Sequence, residues 1–104
     1  SMDMEERYRL IMSTIFRALG FRVEVERMLS TGRIDMIVEV PSIIYVLELK
    51  LSNNGGISAA VNQMKEKSYT EPFKADKRKV IALAVELDKK GKGLIDWKEV
   101  DESL

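Results

Sequence analysis

From Ile43 to Leu51 the chain reads Ile-Ile-Tyr-Val-Leu-Glu-Leu-Lys-Leu, and this stretch constrains the fold more than any other. A nearly continuous apolar run of strand length belongs in the middle of a sheet, covered on both faces. Glu48 and Lys50 interrupt it. Side chains two apart on a strand share a face, so these two project together. Charge in such apolar surroundings is costly unless it has a partner or a task.

The flanking sequence predicts what surrounds that strand. Residues from about Asp3 to Leu19 read as an amphipathic helix, with Met4, Tyr8, Ile11, Met12, Ile15, Phe16 and Leu19 on one stripe and Gly20 as its stop. Phe21 to Arg27 alternates: Phe21, Val23 and Val25 face one way, and Arg22, Glu24 and Glu26 the other. Ser30-Thr31-Gly32 is a turn, Arg33 to Val40 a second strand, and Pro41-Ser42 ends it. After the loop Ser52 to Gly56, a second helix runs from Ile57 to about Tyr69, with Ile57, Ala60, Val61 and Met64 inward and Pro72 beyond its end. Lys79 to Leu87 is a fourth, internal strand. Leu94 to Val100 reads as a short edge strand anchored by Trp97.

The expected class is α/β, with an α+β mixed sheet in the order αβββαβ and an extra strand at the end. The first three strands form an antiparallel meander. The helix between the third and fourth is a crossover, which makes those two parallel. At 104 residues the chain fits one domain, assigned to residues 3–104, with Ser1-Met2 read as an expression scar. A domain cut from a longer protein fits that reading.

Composition narrows the chemistry. The chain has no Cys and no His, which removes disulfides, thiolate and Ser-His nucleophiles and nitrogen or sulfur metal ligands. Any metal is a hard, oxygen-bound cation such as Mg²⁺ or Mn²⁺. Seventeen Lys and Arg balance seventeen Asp and Glu, which argues against a purely electrostatic nucleic-acid binder but leaves room for a local basic patch. No apolar run approaches the ~20 residues of a bilayer span, and no signal peptide is visible; a cytoplasmic setting with no membrane partner fits.

The hairpin at Pro41-Ser42 brings Asp35 across from Glu48 to Lys50. Two carboxylates, Asp35 and Glu48, can hold a divalent cation, with the Leu49 carbonyl as a further ligand. Lys50 can orient or deprotonate the attacking water, or stabilise the transition state. The same trio on a solvated face is ordinarily no more than an ion pair. On the first helix, phase selects Glu5 over Glu6 as a candidate facing the site, although a first-turn carboxylate also suits the helix dipole. On the second, Gln63 is placed to reach the same region or to lie exposed. Lys65, Lys67, Lys74, Lys77, Arg78 and Lys79 form a basic segment that either tracks a phosphate backbone or is a solvated face. Lys65 and Lys67 are its candidate nucleic-acid contacts. Tyr69 either stacks on a base or closes the core.

An Asp on the second strand followed by Glu-x-Lys on the third resembles the PD-(D/E)XK nuclease superfamily, whose core is restriction-endonuclease-like. Gly32-Arg33-Ile34-Asp35, Ile44 to Leu51, Ala60 to Lys67 and Tyr69-Thr70-Glu71-Pro72-Phe73 are together similar to a subfamily found C-terminal to AAA-ATPase-like domains. The resemblance implies a divalent-metal-dependent nuclease with nucleic acid, DNA before RNA, as partner. Asp35 and Glu48 are then metal ligands, Lys50 the catalytic lysine, and Gln63 and Glu5 supporting residues. An N-terminal ATPase-like domain in the full-length protein is also implied. Two departures stand out: Tyr8-Arg9 where comparable members carry Tyr-His, and Ile34 where the superfamily usually has proline. A catalytically inactive interaction module on the same fold, and a homodimer paired through its edge strand, are the other readings.

Overall fold

A computed structural model describes residues 1–101. Helix α1 (Met4–Ala18) opens on a reciprocal cap: the Asp3 carboxylate accepts from the Glu6 N–H at 2.8 Å, and Glu6 accepts from the Asp3 N–H at 3.3 Å. This satisfies donors that a helix start leaves unpaired. Beyond Ala18 the chain turns at Gly20, whose φ of 91° suits a residue without a β-carbon. Strands β1 (Arg22–Leu29), β2 (Gly32–Glu39) and β3 (Ile43–Leu51) follow, then α2 (Gly56–Lys67), a 3₁₀ turn (Glu71–Phe73), β4 (Lys79–Leu87) and β5 (Leu94–Val100).

The five strands lie in one sheet in sequence order, parallel between β3 and β4 and antiparallel elsewhere. This is the mixed α+β architecture of a restriction-endonuclease-like fold. Ile44 and Val46 of β3 pack on the α2 side with Ala60 and Met64, while Leu47 and Leu49 pack on the α1 side with Tyr8. Each wholly buried aliphatic side chain contributes roughly 1.5–3 kcal/mol, so the central strand contributes through both faces at once. No helix among the described residues is long and apolar enough to cross a membrane.

β1 and β2 both break strand parity at one level. Val23 and Val25 pack on the α1 side, yet Leu29 packs on the α2 side and Arg27 lies over the Phe73 ring. In β2, Met36 and Val38 belong to the α1 side, but Ile34 joins the α2 side with Ile37. Regular alternation would keep 25, 27 and 29 together, and 34, 36 and 38 together. The break falls at Glu26, whose φ of 55° is unusual for a residue with a β-carbon. That half-turn carries the hairpin tip from the α1 face round to the end of α2.

Three expectations need correction. Ile11, Ile15 and Leu19 are 52–64% exposed, because α1 crosses mainly β1 to β3 and buries a narrower stripe than the periodicity suggested. Trp97 is 60% exposed and anchors nothing; Val100 is the buried residue of β5. Helix α2 stops at Lys67, where Ser68 turns left-handed, so Tyr69 lies beyond the helix.

Helix α2 has no capping side chain of its own at Gly55. Glu86 of β4 supplies it, accepting from the Ile57 N–H at 2.9 Å, and a β-carbon on Gly56 would lie 2.6 Å from that carboxylate. Glu86→Ala is expected to cost about 1 kcal/mol, a fall of roughly 4–8 °C in melting temperature by circular dichroism. An unchanged melt would show that the helix start is held by packing alone.

Candidate active site

The β2–β3 ladder runs from Glu39↔Ile44 to Met36↔Leu47 and stops there. The next residue on β2 is Asp35, and Glu26, which would face it across β1, makes no ladder pair. In place of backbone pairing, the Asp35 carboxylate accepts from the Leu49 N–H at 2.9 Å. A strand residue directs its N–H and C=O to the same edge, so the Leu49 carbonyl also points toward this gap. The defect thus turns a strand position into a carboxylate beside Glu48.

Asp35 is 2% exposed and Glu48 3%. Burial, and then the neighbouring Asp35 charge, push Glu48 up to about 7. Opposing this, the Tyr69 hydroxyl donates to Glu48, and the Lys67 charge lies close by. Two carboxyls facing each other with little water cannot both ionise cheaply unless a cation joins them.

The other candidates gather on the same hollow of about 400 Å³. Glu5 comes from the first turn of α1, Lys50 from β3, and Gln63 and Lys67 from α2. Glu6 is occupied in the helix cap, and Glu5 is the one of the two that lines the hollow. Burial and the Asp35 charge raise the Glu5 carboxyl, partly offset by Arg9, Lys50 and Arg33. The Gln63 Oε1 is buried without a hydrogen-bond partner. An unpartnered acceptor oxygen on a residue that lines the same hollow as two buried carboxylates is oxygen chemistry a hard cation can use. Among the described residues, no three Asp or Glu side chains converge as a metal-holding group. Any cation here would draw on the Asp35 and Glu48 carboxylates together with oxygens that are not Asp or Glu side chains, with Glu5 lining the same hollow.

The basic segment does not act as one surface. Lys65 is exposed and lies outside the hollow; Lys67 lines it. Lys74 pairs with Glu71 at 2.8 Å, and Arg78 with Glu39 at 2.7 Å and Asp76 at 2.8 Å. The stacking role for Tyr69 is overturned. Its ring is fully buried in the core, and its hydroxyl is bound to Glu48.

Sequence reasoning missed Arg33, and marked Arg9 only as a departure from the histidine of comparable members. Arg33 reaches Asp35 at 3.2 Å and Glu5 at 4.0 Å, setting a guanidinium against the carboxylate pair. Its spacing of two from Asp35 was the available signal. Arg9 is 7% exposed and bridges Glu5 at 3.5 Å and Glu26 at 2.5 Å. It fastens α1 to the left-handed residue of β1, a structural post that helix periodicity alone does not announce. Met28, 72% exposed at the mouth of the hollow, was also unforeseen.

A family profile described as the PD-(D/E)XK nuclease superfamily matches residues 3–97. The chain is also similar to a protein of Azotobacter chroococcum mcd 1 whose name reads "Uncharacterized protein in vnfD 5'region", at 31% identity over 100 residues. That match covers 96% of this chain and 19% of the relative, so the chain spans about a fifth of the relative's length.

Proposed function

Because this chain belongs to the PD-(D/E)XK nuclease superfamily, we infer that it is a nuclease domain hydrolysing phosphodiester bonds, of DNA before RNA, with Mg²⁺ or Mn²⁺. The observation that carries this reading is the buried Asp35–Glu48 pair, set where the strand ladder stops and flanked by Lys50. Asp35, Glu48 and the Leu49 carbonyl would hold the cation. When bound, it would supply an acidified water and neutralise charge building on the phosphate. Lys50, on the same strand face as Glu48, is placed to orient that water or to stabilise the transition state through its ammonium. Arg33 limits the repulsion between Asp35 and Glu5 and meets an incoming phosphate at the rim. Gln63 Oε1 would accept a hydrogen bond from a free water or from a water held by the cation.

One observation favours a second reading, a nuclease-like interaction module without turnover. Arg33 occupies one Asp35 oxygen and Tyr69 one Glu48 oxygen, so part of the candidate ligand set is engaged within the chain. Incubation with single-stranded, duplex and branched DNA and with RNA separates the two. Cleavage that appears with Mn²⁺ or Mg²⁺ and vanishes with chelator supports the enzyme. Absence of Mn²⁺ uptake by calorimetry, together with intact oligonucleotide binding, supports the module. A homodimer and an ATPase-like neighbour in a longer chain belong to the same proposal, and light scattering tests the first.

A further inference from the structure

Lys67 is the last residue of α2, and the β1–β2 turn holds it as well. Its backbone carbonyl accepts from the Thr31 hydroxyl at 2.9 Å. Its stem lies across Gly32 so closely that a β-carbon there would sit 2.8 Å from Lys67 Cε and 2.9 Å from Cδ. Gly32, at φ 145°, leaves that channel open. The ammonium stands 5.7 Å above the Tyr69 ring centre. A lysine on a surface helix is normally mobile, and fixing its stem costs side-chain entropy; here backbone, glycine and ring all restrain one ammonium.

Lys67 stands between two hollows. One is the carboxylate site. The other, about 150 Å³, lies between Ser30-Thr31 and Ser68, with Leu29 and Pro72 as its apolar walls. Lys67 lines both. The second hollow offers exposed hydroxyls of Ser30 and Ser68, and its one acid, Glu71, is already paired with Lys74. Its chemistry is that of a phosphodiester holder: one positioned cation, hydroxyl donors and a neutralised carboxylate.

We propose that Lys67 is a clamp for the phosphate next to the scissile one, and that the bound strand leaves the carboxylate site over Lys67 into the hollow between the β1–β2 turn and Ser68. The assignment rests on the nucleic-acid reading above but does not require hydrolysis. The half-turn at Glu26 is what brings the hairpin tip within reach of α2, so one backbone irregularity aims Asp35 and also builds the exit.

The test uses the intact chain in chelator with a short fluorescein-labelled oligothymidylate. Lys67→Gln keeps the stem across Gly32 and removes the charge. It is expected to weaken binding about tenfold at low salt and to lower the salt-dependence slope by about 0.7, the loss of one single-strand phosphate contact. Lys67→Arg is expected to retain both. In ¹H–¹⁵N spectra, oligonucleotide should move the Thr31, Gly32 and Ser68 amides in the wild type and not in Lys67→Gln, while Lys50 responds in both. Unchanged affinity and slope in Lys67→Gln, or movement at Lys50 with still amides at the turn, would overturn the clamp. Clamp signals without metal-dependent cleavage would remove the hydrolytic reading alone. No oligonucleotide binding at all would remove both.

Discussion

Lys50→Ala is expected to lower metal-dependent cleavage by about 10²–10³-fold while the protein melts where the wild type does. The size follows from removing one pre-positioned cationic group from a site where charge develops on phosphate. The unchanged melt follows from where Lys50 sits. Its side chain is half exposed on the hollow, and its partners there are electrostatic neighbours such as Glu5 rather than packed apolar groups. Partly exposed substitutions of this kind stay within about 0.5 kcal/mol. Asp35→Ala should abolish cleavage too, but it also removes the acceptor of the Leu49 N–H and leaves that donor buried. Lys50→Ala is therefore the cleaner probe. Single-turnover rates on a labelled oligonucleotide check it, and cleavage by Lys50→Ala at the wild-type rate would assign the activity to a contaminant.

In chelator the wild type should lose stability between about pH 5 and 8, and Glu48→Gln should lose much less. Glu48 titrates at 4.5 without its surroundings and at about 7 in the fold. Below 4.5 both folded and unfolded chains carry the proton, and the pair has no penalty. Between 4.5 and 7 the folded chain keeps a proton that the unfolded chain has released, so stability falls as pH rises. Above 7 both are ionised and the loss is complete, on the order of 3 kcal/mol, or roughly 10–20 °C in melting temperature. The raised Glu5 carboxyl adds to the same trend. Glutamine keeps an oxygen for the Tyr69 hydroxyl and cannot ionise. Mn²⁺ should restore wild-type stability at pH 8 and do little for the variant, because a ligand held only by the folded state stabilises it. Identical wild-type melts at pH 5 and pH 8 in chelator would mean the carboxyl pair is not strained.

Much of this was legible because β3 is unambiguous. An apolar strand with two charges at spacing two fixes both its central place and the shared face of Glu48 and Lys50, and the structure keeps that parity through Ile44 and Val46. The short hairpin brought Asp35 across from Glu48 to Lys50, where it accepts from the Leu49 N–H, and the long crossover made β3 and β4 parallel. What periodicity did not carry was the half-turn at Glu26. Nothing in Val-Glu-Val-Glu-Arg encodes a left-handed glutamate; a buried Arg9 from another element holds it. Tyr69 misled for a related reason. Its identity suits stacking, but its position just past α2 drops the ring into the core, where only its hydroxyl takes part. The α1 stripe was drawn too wide because apolar spacing shows which face turns inward, not how much of the sheet the helix covers.

The hollow draws Glu5, Arg33, Asp35, Glu48, Lys50, Gln63 and Lys67 from two helices, a hairpin and a central strand. Between Glu5 and Lys67 lies more than half of the chain, and the contacts that join them close late in folding because they are distant in sequence. On the nuclease reading, cutting competence would therefore arrive only with completion of the fold, and a chain still emerging from the ribosome would be harmless to the nucleic acid around it.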